Sequence, residues 1–242
     1  MQRYKLLLQY DGSNFCGWQS QKNDRTVQVE IERALSVLNH GKRVAVVGAG
    51  RTDSGVHATG QVAHFELNTK LSESDLLRAI NGNLPADIRV DDCSATSMDF
   101  HARFSAIKRI YQYKCRTEEY LLDRHYSWLI GKVDIERMSK AAGMIIGEHD
   151  FTSFCKINPE LEHNNCLIYH SSWNLKGPIV NYKVIANRFL HHMVRYLVGT
   201  MVAIGRHQSG LKQFEEMILN PGKEHKIYRA PANGLILKEV IY

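Results

Sequence analysis

The chain has 242 residues, with 31 Lys+Arg against 25 Asp+Glu and a formal net charge of +6. Apolar residues make up 44% and charged residues 23%, which excludes disordered, collagen-like and low-complexity classes. The length allows one large domain or two of roughly 100–130 residues, and the charge permits an anionic partner such as nucleic acid without requiring one.

In chain order, Tyr4 to Tyr10 reads as a buried strand that Asp11-Gly12-Ser13-Asn14 ends with turn chemistry. Thr26 is placed to cap a helix running to about Asn39, with Val27, Ile31, Ala34, Leu35 and Leu38 on one face. Val44 to Val47 is a second short strand that runs into the Gly-rich stretch Gly48 to Gly55, and Gln61 to Leu67 alternates as a third. Ser72-Glu-Ser-Asp75 has the form of a capping box for a helix carrying Leu76, Leu77 and Ile80. Asn81-Gly-Asn-Leu-Pro85 stops that helix, and a strand starts at Ile88. Ile107 to Arg116 is expected as a strand, with Tyr111, Tyr113 and Cys115 on one face and Lys108, Gln112, Lys114 and Arg116 on the other. Asp134 caps a helix ended by Gly147, and Leu167 to Leu175 pairs with Ile179 to Ala186 about Lys176-Gly-Pro178. An apolar helix from about Phe189 to Gly205, a shorter one from Leu211 to Leu219 and a strand from Gly234 to Tyr242 close the chain.

Strands and helices mix irregularly, with hairpin returns as well as βα steps, which points to α+β rather than a doubly wound parallel sheet. Tyr4-Lys-Leu-Leu-Leu-Gln and Tyr182-Lys-Val-Ile-Ala-Asn are loosely similar, which suggests two related α/β-sandwich halves, residues 1–104 and 105–242. The five cysteines, Cys16, Cys93, Cys115, Cys155 and Cys166, show no C-x-x-C pair, against a disulfide framework or a zinc knuckle. The N-terminal run lacks a signal-peptide layout, and the apolar stretch Phe189 to Ile204 is interrupted by His191, His192 and Arg195 and too short for a bilayer. A cytoplasmic protein with no membrane association is expected.

Three stretches could carry chemistry. Gly48 to His57 follows a strand, yet the third glycine of a dinucleotide fingerprint would fall at Asp53, where a carboxylate repels a pyrophosphate. The loop presents Asp53 between small residues, with Arg51 two positions before and His57 four after. A neighbouring cation keeps a carboxylate ionised, which suits a nucleophile or general base and needs no metal; the alternative is an ordinary Gly-rich turn. In Asn187 to Gly199, a helix places His191 and Arg195 at i, i+4 and Arg195 on a partly buried face, where it needs an anion: Asp53, a phosphate or some other carboxylate. Arg103 to Arg116 interleaves basic residues with aromatics along one expected strand, suited either to stacking an unpaired base or to a core strand.

Together these residues resemble the tRNA pseudouridine synthase A (TruA-like) family. The resemblance is carried by Tyr10-Asp-Gly12, Gly17-Trp-Gln19, Thr26-Val-Gln28, Gly50-Arg-Thr-Asp-Ser-Gly-Val-His-Ala58, Asn83-Leu-Pro85 and Phe104-Ser-Ala106 with Tyr111. It continues through His149-Asp-Phe151, the Asn187 to Gly199 segment and the terminal Val240-Ile-Tyr242. It implies two halves sharing an extended, mainly antiparallel sheet with a central active-site cleft, a homodimer and no cofactor. It implies conversion of uridine to pseudouridine in the tRNA anticodon stem-loop, at tRNA positions 38–40. Asp53 would be the catalytic carboxylate, Arg51 and Arg195 its ion-pair partners, and Tyr111 the ring stacked on the target base. Arg103, Lys108, Arg109, His57 and His191 are further candidates for substrate contact. Ser54 stands where Ala is usual, Cys166 where Arg is common, and the segment Tyr120 to Arg124 lacks a common Pro. Two rival readings are an inactive RNA-binding protein of the same fold and a metal-dependent hydrolase using His191, His192 and Asp150.

Overall fold

The computed structural model describes residues 1–159 and 161–242. Among these residues are ten strands in a mainly antiparallel sheet and five α-helices, the α+β class expected. The chain divides into two compact units, residues 1–107 with 237–242, and residues 108–236. The junction therefore falls a few residues after 104, and the last residues of the chain leave the second half to join the first.

The first unit contains β1 (Gln2–Tyr10), α1 (Val27–Leu38), β2 (Val46–Gly48), β3 (His57–Leu67), α2 (Glu73–Asn83) and β4 (Ile88–Thr96). β1 lies between β4 and β3, antiparallel to both, and β2 pairs with β3. The helices begin where the sequence placed their caps: Thr26 accepts the Val29 N–H, and Ser72 accepts the Asp75 N–H. Alternation along β1 buries Tyr4, Leu6, Leu8 and Tyr10, and Tyr4 stacks on its register partner Phe65 with ring centroids 5.5 Å apart.

The second unit contains β5 (Lys108–Arg116), β6 (Trp128–Leu129), α3 (Ile135–Met144), β7 (Gly147–Asp150), β8 (Asn165–Lys176), β9 (Ile179–Ala186), α4 (Met193–Gly205) and α5 (Leu211–Leu219). Its strands run in the order β5-β9-β8-β7, antiparallel, with β6 parallel to β5. Here the loosely repeated segment lies on β9, and Tyr182 packs on its register partner Trp173 at 4.8 Å, as Tyr4 does on Phe65 in the first unit. α4 is buried almost all round, and Gly199 lets residues 228–230 cross it: a Cβ there would stand 2.3 Å from the Tyr228 carbonyl oxygen.

The final strand, β10 (Leu235–Ile241), begins in the second unit, where Lys114 N–H donates to the Gly234 carbonyl at 2.8 Å. Its later residues run beside β3 in the first unit. A Cβ on Gly60 would stand 2.2 Å from the Lys238 carbonyl oxygen.

Two expectations change. α4 starts at Met193 rather than Phe189, because His192 has φ 66°, a left-handed conformation that no right-handed helix can contain. His191 and Arg195 therefore do not share a helix face. Residues 103–106 are not strand either: they belong to a turn closed by Ser105 N–H on the His101 carbonyl at 2.9 Å, so Arg103 is not in line with β5.

Candidate active site

The Asp53 loop joins β2 to β3, and its backbone is fixed from several sides. The Thr52 carbonyl accepts the Trp18 N–H at 3.1 Å, and the Gly50 carbonyl accepts Gln61 Nε2 at 3.0 Å. Val56 N–H returns to the Asp53 carbonyl at 3.1 Å, closing a turn about the carboxylate, and Ser54 Oγ reaches the Phe15 carbonyl at 3.2 Å. Two glycines allow the approach. A Cβ on Gly12 would stand 2.1 Å from the Val56 carbonyl oxygen, and Gly17, at φ 92°, would place one 2.7 Å from that of Thr52. The carbonyls of Gly17 and Trp18 in turn accept the Val27 and Gln28 N–H groups. These are orphan donors at the start of α1, so the helix end and the loop hold each other.

Below the loop, Thr52 Oγ1 shares a 2.8 Å hydrogen bond with the Tyr10 hydroxyl, with Gln61 Nε2 3.5 Å away. Burial pushes the Tyr10 phenol up to about 12, against the pull of both hydrogen bonds, so it stays a neutral structural group. Asp53 itself is half-buried and Arg51 is exposed. His57 is turned inward: its Nδ1 accepts the Gly12 N–H at 3.0 Å and lies 3.1 Å from Asp11 Oδ1. A ring nitrogen that accepts a backbone N–H carries no proton, so this edge of His57 ties the Gly12 turn to β3. Arg103 belongs to the same unit, in the turn after β4, with its guanidinium 5.5 Å from the Phe104 ring centroid.

In the second unit, the start of β5 and the segment between β9 and α4 bring several candidates together. Arg109 Nη1 donates to the Asn187 carbonyl at 2.7 Å, and Tyr111, buried at 7% exposure, meets Phe189 edge to face at 5.1 Å. Asn187 shapes this segment, its Oδ1 accepting the Leu167 and Arg188 N–H groups. The His191 carbonyl accepts the Lys156 N–H at 3.0 Å, and the His191 and His192 rings lie 3.9 Å apart. Arg195 is half-buried in the first turn of α4, its Nε donating to the Ala230 carbonyl at 2.9 Å and its carbonyl accepting the Ala230 N–H. Lys108 sits over the Tyr169 ring at 4.6 Å.

The basic strand face is partly compensated. Lys114 and Arg116 both pair with Asp123, and these two cations, Lys114 foremost, hold its carboxyl below the ordinary range. His191, His192 and Asp150 do not form a metal-ligating trio among the described residues. Asp150 instead accepts the Thr152 N–H and hydroxyl at 2.8 and 2.6 Å. Sequence reasoning did not single out Thr52, Asn187 or Phe189. Phe189 stood inside the expected helix, where an aromatic ring reads as core, and Thr52 is legible only once Tyr10 is known to lie beneath it.

The family model described as tRNA pseudouridine synthase matches residues 7–105 and 141–242. The chain is 38% identical over 244 residues to tRNA pseudouridine synthase A of Geobacillus kaustophilus, covering 100% of this chain and 95% of that protein. It is 38% identical over 244 residues to the Bacillus subtilis protein of the same name, covering 99% of each. The namesake of Latilactobacillus sakei is 36% identical over 249 residues, covering 100% of this chain and 99% of its own. Among solved structures, a chain of a Cbf5-Nop10-Gar1 complex aligns with TM-score 0.36 and 9% identity over 96% of this chain and 57% of that one.

Proposed function

The chain belongs to the tRNA pseudouridine synthase family, and from that premise we propose that it isomerises uridine to pseudouridine in the tRNA anticodon stem-loop, with Asp53 as the catalytic carboxylate. The observation that carries the role of Asp53 is its setting. It is a half-buried carboxylate on a turn whose neighbours Gly50, Thr52 and Val56 are each held by hydrogen bonds to β3, to the Trp18 backbone or to the turn itself. Such a group is preorganised, so little ordering remains at the reacting centre.

The reaction breaks the N1–C1′ glycosidic bond and forms a C5–C1′ bond. The proton on C5 is released and N1 gains one, with no net oxidation or reduction. An ionised Asp53 serves either as a nucleophile toward C1′ or the uracil ring or as a base toward a ribose proton. The target uridine must leave its stack, and a ring such as Tyr111, oriented by Phe189, offsets part of that cost. Arg51 and Arg195 are assigned as partners of the carboxylate or of phosphate. Arg103, Lys108, Arg109, His57 and His191 are assigned to substrate contact.

Resemblance alone supports tRNA positions 38–40 and the homodimer. A cytoplasmic setting is supported by five free thiols, four of them buried. No helix among the described residues is long and apolar enough to cross a membrane. The test is tritium release from tRNA labelled at uracil C5. The wild-type protein is expected to release it, and Asp53→Ala is expected to release none while still binding tRNA. Binding without release by the wild type would favour the inactive RNA-binding reading, and undiminished release by Asp53→Ala would remove Asp53 from the chemistry.

A further inference from the structure

Phe104 is the most exposed of the described phenylalanine, tyrosine and tryptophan residues, at 75%, yet it stands on a turn tied by several hydrogen bonds. His101 N–H donates to Ser105 Oγ at 3.0 Å, Ser105 N–H to the His101 carbonyl at 2.9 Å, and His101 Nδ1 accepts the N–H groups of Arg103 and Phe104 at 3.2 Å each. The turn is also pinned to the strands behind it. Ala102 N–H donates to His64 Nδ1 at 3.1 Å, the Tyr242 hydroxyl donates to the Ala102 carbonyl at 2.7 Å, and the Arg3 guanidinium donates to the Phe100 carbonyl at 2.8 Å.

The ring is propped by the His101 imidazole, with centroids 4.4 Å apart and planes 31° from parallel, and flanked by the Arg103 guanidinium. A rigid aromatic platform beside a cation suits a partner that is flat, aromatic and anionic at once. A nucleobase with its phosphate has those properties, and stacking on a ring already held in place costs little ordering entropy.

We propose that the turn at residues 97–105 is a base-stacking site, in which the open side of the Phe104 ring takes an unpaired base of the tRNA and Arg103 stands near its phosphate. This rests on the reading of tRNA as substrate and adds to it a contact away from the Asp53 loop in the sequence.

The experiment measures tRNA affinity by fluorescence anisotropy for wild type, Phe104→Ala, Phe104→Leu and Phe104→Tyr. Oligomeric state is followed by light scattering, and wild-type tritium release is run in parallel. Loss of one stacked base weakens binding by about 5- to 150-fold. That loss is expected for Phe104→Ala and Phe104→Leu, with Phe104→Tyr near wild type, because stacking needs the ring rather than apolar bulk. Affinity of Phe104→Ala within twofold of wild type, or Phe104→Leu as tight as wild type, would overturn the proposal. So would a change of oligomeric state in Phe104→Ala, which would assign the ring to a protein contact. Failure of wild-type tritium release would instead count against the catalytic reading.

Discussion

At the residue scale, Thr52 shows how the candidate catalytic loop is held by a neighbouring side chain. Its hydroxyl is the 2.8 Å partner of a fully enclosed phenol on β1, and its carbonyl anchors Trp18. Thr52→Val keeps the shape and removes the hydroxyl, leaving the Tyr10 phenol with only the long contact to Gln61. An unsatisfied buried donor costs about 1–3 kcal/mol. The variant is therefore expected to lose that much stability in urea denaturation and to release tritium more slowly, since Asp53 is the next residue. Asp53, Arg51 and the motif around them were legible in the sequence because they form one contiguous run of residues, Gly50 to Ala58. Thr52 was not singled out, because its role lies in a contact with a residue forty-two positions away.

At the element scale, one histidine ties the turn that displays Phe104 to β3. His64 on β3 accepts the Ala102 N–H through Nδ1, which only an unprotonated ring nitrogen can do. Burial, with smaller contributions from His101 and Arg3, lowers its pKa from 6.5 to about 4. The folded state therefore resists protonation that the unfolded chain accepts. The stability linked to this site is full above about pH 6.5, falls as the pH drops from there toward 4, and levels off below. The span amounts to about 3 kcal/mol at most. Thermal midpoints of wild type and His64→Gln, measured between pH 7 and 4, should show a steeper fall for the wild type; parallel curves would deny His64 this part.

The same scale shows where periodicity misled. The run from Phe189 is apolar enough for a helix, but the Asn187 side chain caps backbone donors on two segments and His192 adopts a left-handed conformation. The helix is thereby delayed to Met193, and Phe189 is free to pack against Tyr111. Hydrophobic spacing records burial, and a buried loop and a buried helix bury the same residues. β6 and β7 were missed for a different reason: two to four residues are too few to show a period.

At the scale of the whole molecule, the first unit is not continuous in sequence, since residues 237–242 return to it. Their backbone covers β3 at Gly60, and Ile107 N–H donates to the Ile241 carbonyl at 2.7 Å. A fragment of residues 1–107 lacks that cover and exposes an unpaired strand edge, which is prone to aggregation. It is expected to aggregate or melt without a cooperative transition. The same fragment with residues 235–242 attached through a Gly/Ser linker should regain a cooperative melt by circular dichroism.

The net charge of +6 also changes meaning with the fold. Arg25 is paired with Asp87, Arg3 with Glu66, and Lys114 and Arg116 with Asp123, whereas Arg51 is exposed beside the candidate catalytic carboxylate. Counting charges cannot separate these groups, because pairing is a matter of distance across the fold.

The sequence by itself determined the α+β class, most helix and strand positions, the caps at Thr26, Ser72 and Asp134, and the family motif around Asp53. These are set by local spacing and by residue types contiguous in the chain. Only the tertiary structure decided that His57 turns inward to Gly12, that Thr52 rests on Tyr10, and that the end of the chain completes the first unit. It also decided that α4 begins after a left-handed His192 and that Phe104 stands on a tied turn. Each of these depends on partners far apart in the chain, brought together by burial and hydrogen-bond satisfaction that no local pattern encodes.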